Sequence, residues 1–383
     1  MRGHVVKRGS KYSYIIDLGR DPVTKKRKQK RVSGFTSEKK ARKSMIDMIA
    51  EINKGGYVEP TNKNLGEYLD EWLKHKEKRV AYGTYLHYEG FVRNHIKPAI
   101  GNVKTHELKP MQLQLFYDGL LDAGVLSARS IHHIHRIISN ALNLGVRMGE
   151  VQRNIASAVD PVTVKKKELN YWDVEDVNKY VEVARSHKHF IAFYLAIFTG
   201  MRQGEVLGLK WDALDFDNKT IHVHRAIKRK EGGHVLDDLK NDPSYRSISM
   251  SESLMFELKK HKTRQKEEKL KLGEDYDDQG FVVATAVGSF VLPTNIGRAF
   301  RIMLKKTKVK QIRFHDMRHT HASLLFSQNI HPKIVQERLG HSSIQITLDT
   351  YSHMLPNMQE AAAAKLDEMF ADKNIENENK NAL

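Results

Sequence analysis

Between Arg313 and His353 the chain reads RFHDMRHTHASLLFSQNIHPKIVQERLGHSSIQITLDTYSH, and four side chains in it have complementary chemistry: His315, Arg318, His341 and Tyr351. A guanidinium stabilises charge growing on an anionic oxygen, an imidazole moves protons near neutral pH, and a phenol can become a nucleophile. Together they suit attack on a phosphodiester. A free phenol titrates near 10, so only about one in a thousand is ionised at pH 7, and a positive cluster beside Tyr351 would raise that fraction. His315 and Arg318 are three residues apart at the start of a helix-like segment, which lets them project from one face. Pro332 to Leu339 reads as a second short helix, with Pro332 at its first position and Gly340 just past its end, so that His341 falls on the following turn. Tyr351 comes ten residues after His341 on a further short amphipathic segment.

Two stretches upstream add cations. TGMRQGEVLGLKW, Thr199 to Trp211, reads as a turn and an amphipathic helix with Arg202 near its start and Glu205 three residues on. An Arg at a helix N-terminus suits a phosphate, because fork and dipole both favour an anion. The plainer reading is an Arg-Glu surface pair, with Glu205 orienting an Arg. LKNDPSYRSISM, Leu239 to Met250, puts Lys240 in a hairpin context, with Lys228 and Lys230 as nearby competitors. His319 and His321 flank the His-x-x-Arg pair. His315 and His319 have the i, i+4 spacing of a zinc pair, but the Glu of HExxH is missing and there is no Cys, which argues against a metal.

Taken together, Arg202, Lys240, His315, Arg318, His341 and Tyr351, within TGMRQGEVLGLKW, LKNDPSYRSISM, FHDMRHTHAS and LGHSSIQITLDTYSHM, resemble the tyrosine recombinase (integrase) family. The family pattern is an Arg, a Lys on a β-hairpin, His-x-x-Arg, a second His or Trp, and a nucleophilic Tyr. The specific motifs span roughly residues 165 to 356, and a looser likeness continues through a helical core-binding domain and an N-terminal arm-binding domain. The likeness is greatest to integrases of temperate phages and of integrative conjugative elements of Gram-positive bacteria.

The resemblance implies a site-specific recombinase that integrates and excises a mobile element, such as a viral genome, through a 3′-phosphotyrosine intermediate and a Holliday junction. Tyr351 would attack a backbone phosphate, and the phosphotyrosine would conserve the bond energy so that rejoining needs no ATP. Arg202 and Arg318 would clamp the non-bridging oxygens, work otherwise done by a metal, so neither metal nor other cofactor is expected. Lys240 would protonate the departing 5′ oxygen, His315 would accept the tyrosine proton, and His341 would hydrogen-bond the phosphate. The implied partners are double-stranded DNA with core-type and arm-type attachment sites, a homo-tetramer on that DNA, and an excisionase or DNA-bending accessory protein. A type IB topoisomerase and a non-enzymatic DNA-binding regulator are the rival readings. The basic N-terminal domain argues against the first, and the complete set of six residues against the second.

Composition points the same way. There are 64 Lys+Arg against 46 Asp+Glu, a net charge of +18, and a polyanion is the economical partner for such a surface. The 383 residues, 40% hydrophobic, suffice for two or three domains with cores. The lack of Cys removes disulfides and thiol catalysis. No long apolar run or N-terminal apolar signal region is present, so a soluble, cytoplasmic protein without a membrane partner is expected; the resemblance implies a bacterial host and association with its nucleoid.

The expected fold is multidomain α+β. Residues 1–58 form an arm-type DNA-binding domain of three strands (Val5 to Arg8, Tyr12 to Asp17, Lys28 to Phe35) and a helix from about Ser37. Residues 1–60 carry 16 Lys+Arg and 6 Asp+Glu, a net of +10, and Lys25, Lys26, Arg27, Lys28, Lys30 and Arg31 are expected to contact phosphates. Residues 62–158 form an all-α core-binding domain with helices Asn64 to Lys76, Thr84 to Ile96, Lys109 to Asp122 and Ser127 to Met148. In the last, Ile131, Ile134, Ile138, Ala141 and Leu142 make the buried stripe, while Arg129, His132, Arg136 and Ser139 share a face that suits DNA or plain solvent. Residues 168–370 form the mostly α catalytic domain, opened by Trp172 as a staple before the capping Asp173. Its small sheet is read from Thr220 to Lys228 and Arg246 to Met250, with a turn-rich stretch Glu231 to Ser244 between. Residues 371–383 are a frayed tail.

Overall fold

In the computed structural model residues 3–20, 25–53, 61–164, 169–239, 245–351 and 363–370 are described. The Asp21-Pro22 turn, the Gly55-Gly56 linker, Lys240 and the tail from 371 lie outside them. The chain divides into two compact units, Met1–Lys166 and Lys167–Leu383.

The first unit begins with an antiparallel meander of β1 (Gly3–Arg8), β2 (Lys11–Arg20) and β3 (Arg27–Phe35). Alternation along β2 buries Tyr14 and Ile16, the period expected of a sheet with one face covered. Helix α1 (Glu38–Asn53) supplies Ala41 to that core, and the Tyr14 hydroxyl lies 3.4 Å from Ser44 Oγ. After it come α2 (Leu65–Glu77), α3 (Tyr82–Phe91), α4 (Lys97–Ile100), α5 (Pro110–Asp122) and α6 (Ala128–Met148). The expected single helix over Thr84 to Ile96 is instead α3 followed by a π-helical turn, Val92–Ile96, which runs into α4. That extra residue per turn rotates Val92 and Ile96 into the core. On α6 the buried stripe is as read, with Ile137 and Gly145 added. Tyr68 donates to the Ala141 carbonyl at 2.9 Å, locking α2 to α6.

The second unit is built around α8 (Phe190–Thr199), in which all but Phe198 are buried, so it is a core helix without a solvent stripe. Trp172 is more than a staple: it is fully buried, packs on Tyr180 and Phe300, and donates its indole N–H to the Lys310 carbonyl at 2.7 Å. Asp173 caps α7 (Val174–Ala184) as expected, accepting from the Asp176 N–H. Next comes α9 (Gln203–Gly208), then a sheet of β4 (Leu214–Asp215), β5 (Thr220–Val223) and β8 (Arg246–Ser249).

The strand read as Thr220 to Lys228 is two strands, since the chain leaves that sheet after β5 and forms a separate hairpin of β6 (Arg225–Lys230) and β7 (Gly233–Asp238). The stretch read as turn-rich therefore holds a strand. Its acidic end is what fits it there: Asp237 receives both Lys228 and Lys230 across the hairpin, at 3.1 and 3.0 Å. The hairpin lies flat on α9, and this explains the two glycines of RQGEVLG. A Cβ on Gly208 would come within 2.9 Å of the Ala226 Cα, and one on Gly204 within 2.7 Å of the Ile227 carbonyl oxygen. The unit continues with α10 (Glu252–Leu272), α11 (Pro293–Lys306), α12 (Asp316–Ser327), α13 (Pro332–Leu339) and α14 (Ile344–Tyr351), and residues 363–370 are again helical.

Candidate active site

The site gathers at the ends of four helices in the second unit. Arg202 is the N-cap of α9, and its side chain is 40% exposed. One guanidinium nitrogen donates to Glu205 Oε1 at 2.9 Å and another to the Gly340 carbonyl at 3.1 Å. Gly340 is the left-handed cap that ends α13. Arg318, on the first turn of α12, is 3% exposed and donates from Nη1 to the Gly200 carbonyl at 2.8 Å. Gly200 is likewise the left-handed cap of α8. Each arginine is thus anchored on the negative end of a helix. Burial, then the charge of Arg202, drives the Arg318 guanidinium down to about 9. Its Nη2 is buried and has no partner among the described residues.

Beneath the arginines is a buried carboxylate. Glu205 is 2% exposed and receives Arg246 Nη2 at 2.7 Å as well as Arg202. Burial pushes its carboxyl up, but Arg246 and then Arg202 outweigh this and hold it below the usual range. Arg246 also donates to the Arg338 carbonyl at 2.7 Å, so β8, α9 and α13 share one ionic joint. Replacing Glu205 by Ala strands a buried Arg246, and unfolding should show a loss of about 3–5 kcal/mol. Because the folded carboxyl titrates below its unfolded value, this stability is present above the unfolded pKa and is lost as pH falls through the folded one. The difference between wild type and Glu205→Ala should therefore shrink in acid.

Tyr351 ends α14 with 1% exposure, its ring against Phe326 at 5.6 Å. Burial pushes its hydroxyl up to about 12, with Arg318 pulling the other way. The hydroxyl is 2.7 Å from Nδ1 of His319, not bonded to His315. His315 is exposed as a residue, with its ring partly covered and edge-on to that of His319 at 5.5 Å between centroids. Its pKa is lowered by desolvation and then by Arg318. His341, on the turn after α13, is 2.8 Å from Thr347 Oγ1 through Nδ1, and burial followed by Arg318 and Arg202 takes it down to about 4. His321 faces away, its Nδ1 2.9 Å from the Ile197 carbonyl oxygen.

Arg202, His315, Arg318, His341 and Tyr351 thus share one electrostatic neighbourhood. Lys240 lies outside the described residues, and its competitors Lys228 and Lys230 are both engaged by Asp237. Sequence reasoning passed over Arg246 and Arg338, which carried no signal beyond charge. It named His319 as a neighbour of the motif and as half of a disfavoured zinc pair with His315, not as a partner of the tyrosine. No group of three or more His, Asp or Glu suited to a metal ion occurs among the described residues.

Among the other candidates in the first unit, Lys25, Lys26, Arg27, Lys28 and Arg31 are exposed and Lys30 is half-buried, on β3 or just before it. Arg27 is tied to Asp17 at 2.6 Å. Arg129, His132 and Arg136 line an open groove of about 650 Å³ with His133 and residues 161–164. Ser139 accepts Asn154 Nδ2 at 3.0 Å, so it is drawn off that face. No helix among the described residues is long and apolar enough to cross a membrane.

The mostly helical unit with small antiparallel sheets thus brings Arg318 and His319 to the buried Tyr351 phenol, with Arg202 and His341 beside Arg318. Residues 167–358 match the phage integrase family, 64–121 the SAM-like N-terminal domain of phage integrases, and 4–52 an arm DNA-binding domain. A tyrosine recombinase XerC-like protein of Caldanaerobacter subterraneus subsp. tengcongensis is 31% identical over 95% of this chain and 98% of its own length. The ICEBs1 integrase of Bacillus subtilis is 25% identical over 94% and 97%. The chain belongs to the phage integrase family of tyrosine recombinases. In fold it is similar to the Tn1549 transposon integrase solved with a circular intermediate DNA, at a TM-score of 0.66 and 21% identity, covering 79% of this chain and 99% of that one. It is also similar to a lambda integrase tetramer bound to a Holliday junction, at 0.54 and 20%, covering 88% and 95%.

Proposed function

We propose that this recombinase integrates and excises a mobile element by cleaving double-stranded DNA with Tyr351. The observation that carries the reading is the buried Arg318, whose Nη2 has no partner among the described residues and whose charge is felt at Tyr351. A buried cation so placed awaits an anion. The Tyr351 oxygen bonds to phosphorus as the bond to the 5′ oxygen breaks, leaving a 3′-phosphotyrosine and a 5′ hydroxyl. Arg202 and Arg318 take the charge that grows on the non-bridging oxygens, with His341 and His315 as hydrogen-bond donors at the phosphate, and Lys240 protonates the 5′ oxygen. Attack by the 5′ hydroxyl of a second duplex reverses the step and yields a Holliday junction.

Residues 168–370 carry this chemistry, residues 62–158 hold core-type sites through Arg129, His132 and Arg136, and residues 1–58 hold arm-type sites through Lys25 to Arg31. The integrase relatives support the mobile-element reading, and the lambda tetramer supports assembly as a homo-tetramer on DNA; an excisionase or DNA-bending protein would set direction. Such a substrate places the protein with the nucleoid of a bacterial cytoplasm. Two experiments test this. Strand cleavage should survive excess EDTA, and an absolute need for Mg²⁺ contradicts the arginine clamp. A protein starting at residue 61 should cleave core-type DNA yet fail to recombine paired attachment sites, because bridging two classes of site supplies the avidity. Undiminished recombination contradicts the arm-binding role.

A further inference from the structure

We propose that His319, and not His315, receives the proton of Tyr351 when that residue attacks DNA. The inference rests on the tyrosine reading above and assigns its missing proton acceptor.

Geometry comes first. His319 Nδ1 is 2.7 Å from the Tyr351 hydroxyl, the distance of a well-made O–H···N hydrogen bond, and the two rings are 5.8 Å apart between centroids. In the tautomer with the ring proton on Nε2, Nδ1 accepts from the phenolic O–H, and that is the tautomer the proposal requires. His319 is one residue beyond Arg318 on α12, so the helix that delivers the clamping guanidinium also delivers the acceptor. His315 begins the same helix one turn earlier and is exposed, with its ring edge-on to that of His319. It is placed to meet a phosphate arriving from solvent.

Electrostatics suits the role. Burial and then His315 hold the His319 imidazole down to about 4, so its lone pair is free at neutral pH. With the hydroxyl near 12, the pair does not exchange its proton at rest, and the nucleophile stays un-ionised until DNA arrives. The groups facing the pair are His315, Asp316, Arg318 and Arg313 from α12 and its approach, and His341 from the turn before α14. An arriving phosphodiester adds a negative charge there, which raises the imidazole. Forming the phosphorus–oxygen bond makes the phenolic proton far more acidic. The proton then passes to Nδ1 as that bond forms and the bond to the 5′ oxygen breaks, and in rejoining the imidazolium returns it to the departing tyrosine oxygen. The charge on the 5′ oxygen is met separately, by the donor assigned above to Lys240.

The test uses the full-length protein with two suicide substrates, one with ordinary phosphate and one with sulfur at the 5′ bridging position. A thiolate departs without a proton, so that substrate removes the need for an acid but leaves the need for a base. His319→Ala should bind DNA normally and lose on the order of 10²- to 10⁴-fold in covalent attachment on both substrates. His319→Asn, whose amide oxygen can hold the hydroxyl but cannot take its proton, should stay at least 10-fold below wild type on both. Added imidazole should restore part of the rate to His319→Ala. The proposal is overturned if either variant cleaves at the wild-type rate, if the sulfur substrate abolishes the defect, or if His319→Asn recovers fully, which would make His319 a positioning residue only. An adduct formed by Tyr351→Phe would instead remove the tyrosine reading itself, whatever His319 does.

Discussion

Tyr351→Phe should leave DNA binding within a few-fold of wild type and reduce covalent DNA attachment on a suicide substrate to background. The variant keeps the ring that packs on Phe326 and fills the small core of Ala322, Phe326, Val335 and Leu339. It removes only the hydroxyl, whose hydrogen bond runs to His319. Losing that bond costs about 1 kcal/mol, too little to unfold a chain of this size. A retained, protease-sensitive adduct would show that another residue is the nucleophile.

Arg318 gives the second large effect, and it separates catalysis from folding. Arg318→Ala should lose on the order of 10² to 10³ in cleavage rate, by analogy with removal of one oxyanion donor. Arg318→Met should be as inactive and yet as stable as wild type, or more stable. The reason is that the guanidinium is buried with one nitrogen unpartnered among the described residues, a burial cost that Met removes, while the bond lost to the Gly200 carbonyl is worth only about 1 kcal/mol. Cleavage and the urea midpoint should thus move independently. A Met variant that is several kcal/mol less stable would make Arg318 a structural residue first.

Much of the site was legible because its parts lie where local rules are strong. Pro332 and Gly340 bracket α13 with the bounds read from them, and His341 follows on the turn. Arg318 and Tyr351 were singled out by the family resemblance of the whole motif set more than by their own spacing, and the structure adds what surrounds them. The parts that escaped depend on contacts between distant segments. Arg246 reads as an ordinary strand residue until β8 meets α9 and puts it on Glu205, 41 positions away. His319 could be told from His315 only once α14 had brought the tyrosine to one ring and not the other. β7 was hidden because its Gly and Asp residues are turn formers, and only the lysines of β6 make an acidic strand favourable there. The π-helical turn at Val92–Ile96 has no residue signal at all, since the register shift is decided by what Val92 and Ile96 bury against.

The most direct measurement is to trap the protein on a nicked suicide substrate, digest the adduct, and identify both the modified side chain and the DNA end attached to it by mass spectrometry. A single peptide carrying Tyr351 joined to a 3′ phosphate is expected, with a free 5′ hydroxyl on the released strand. Attachment through any other side chain, or to a 5′ phosphate, would contradict it.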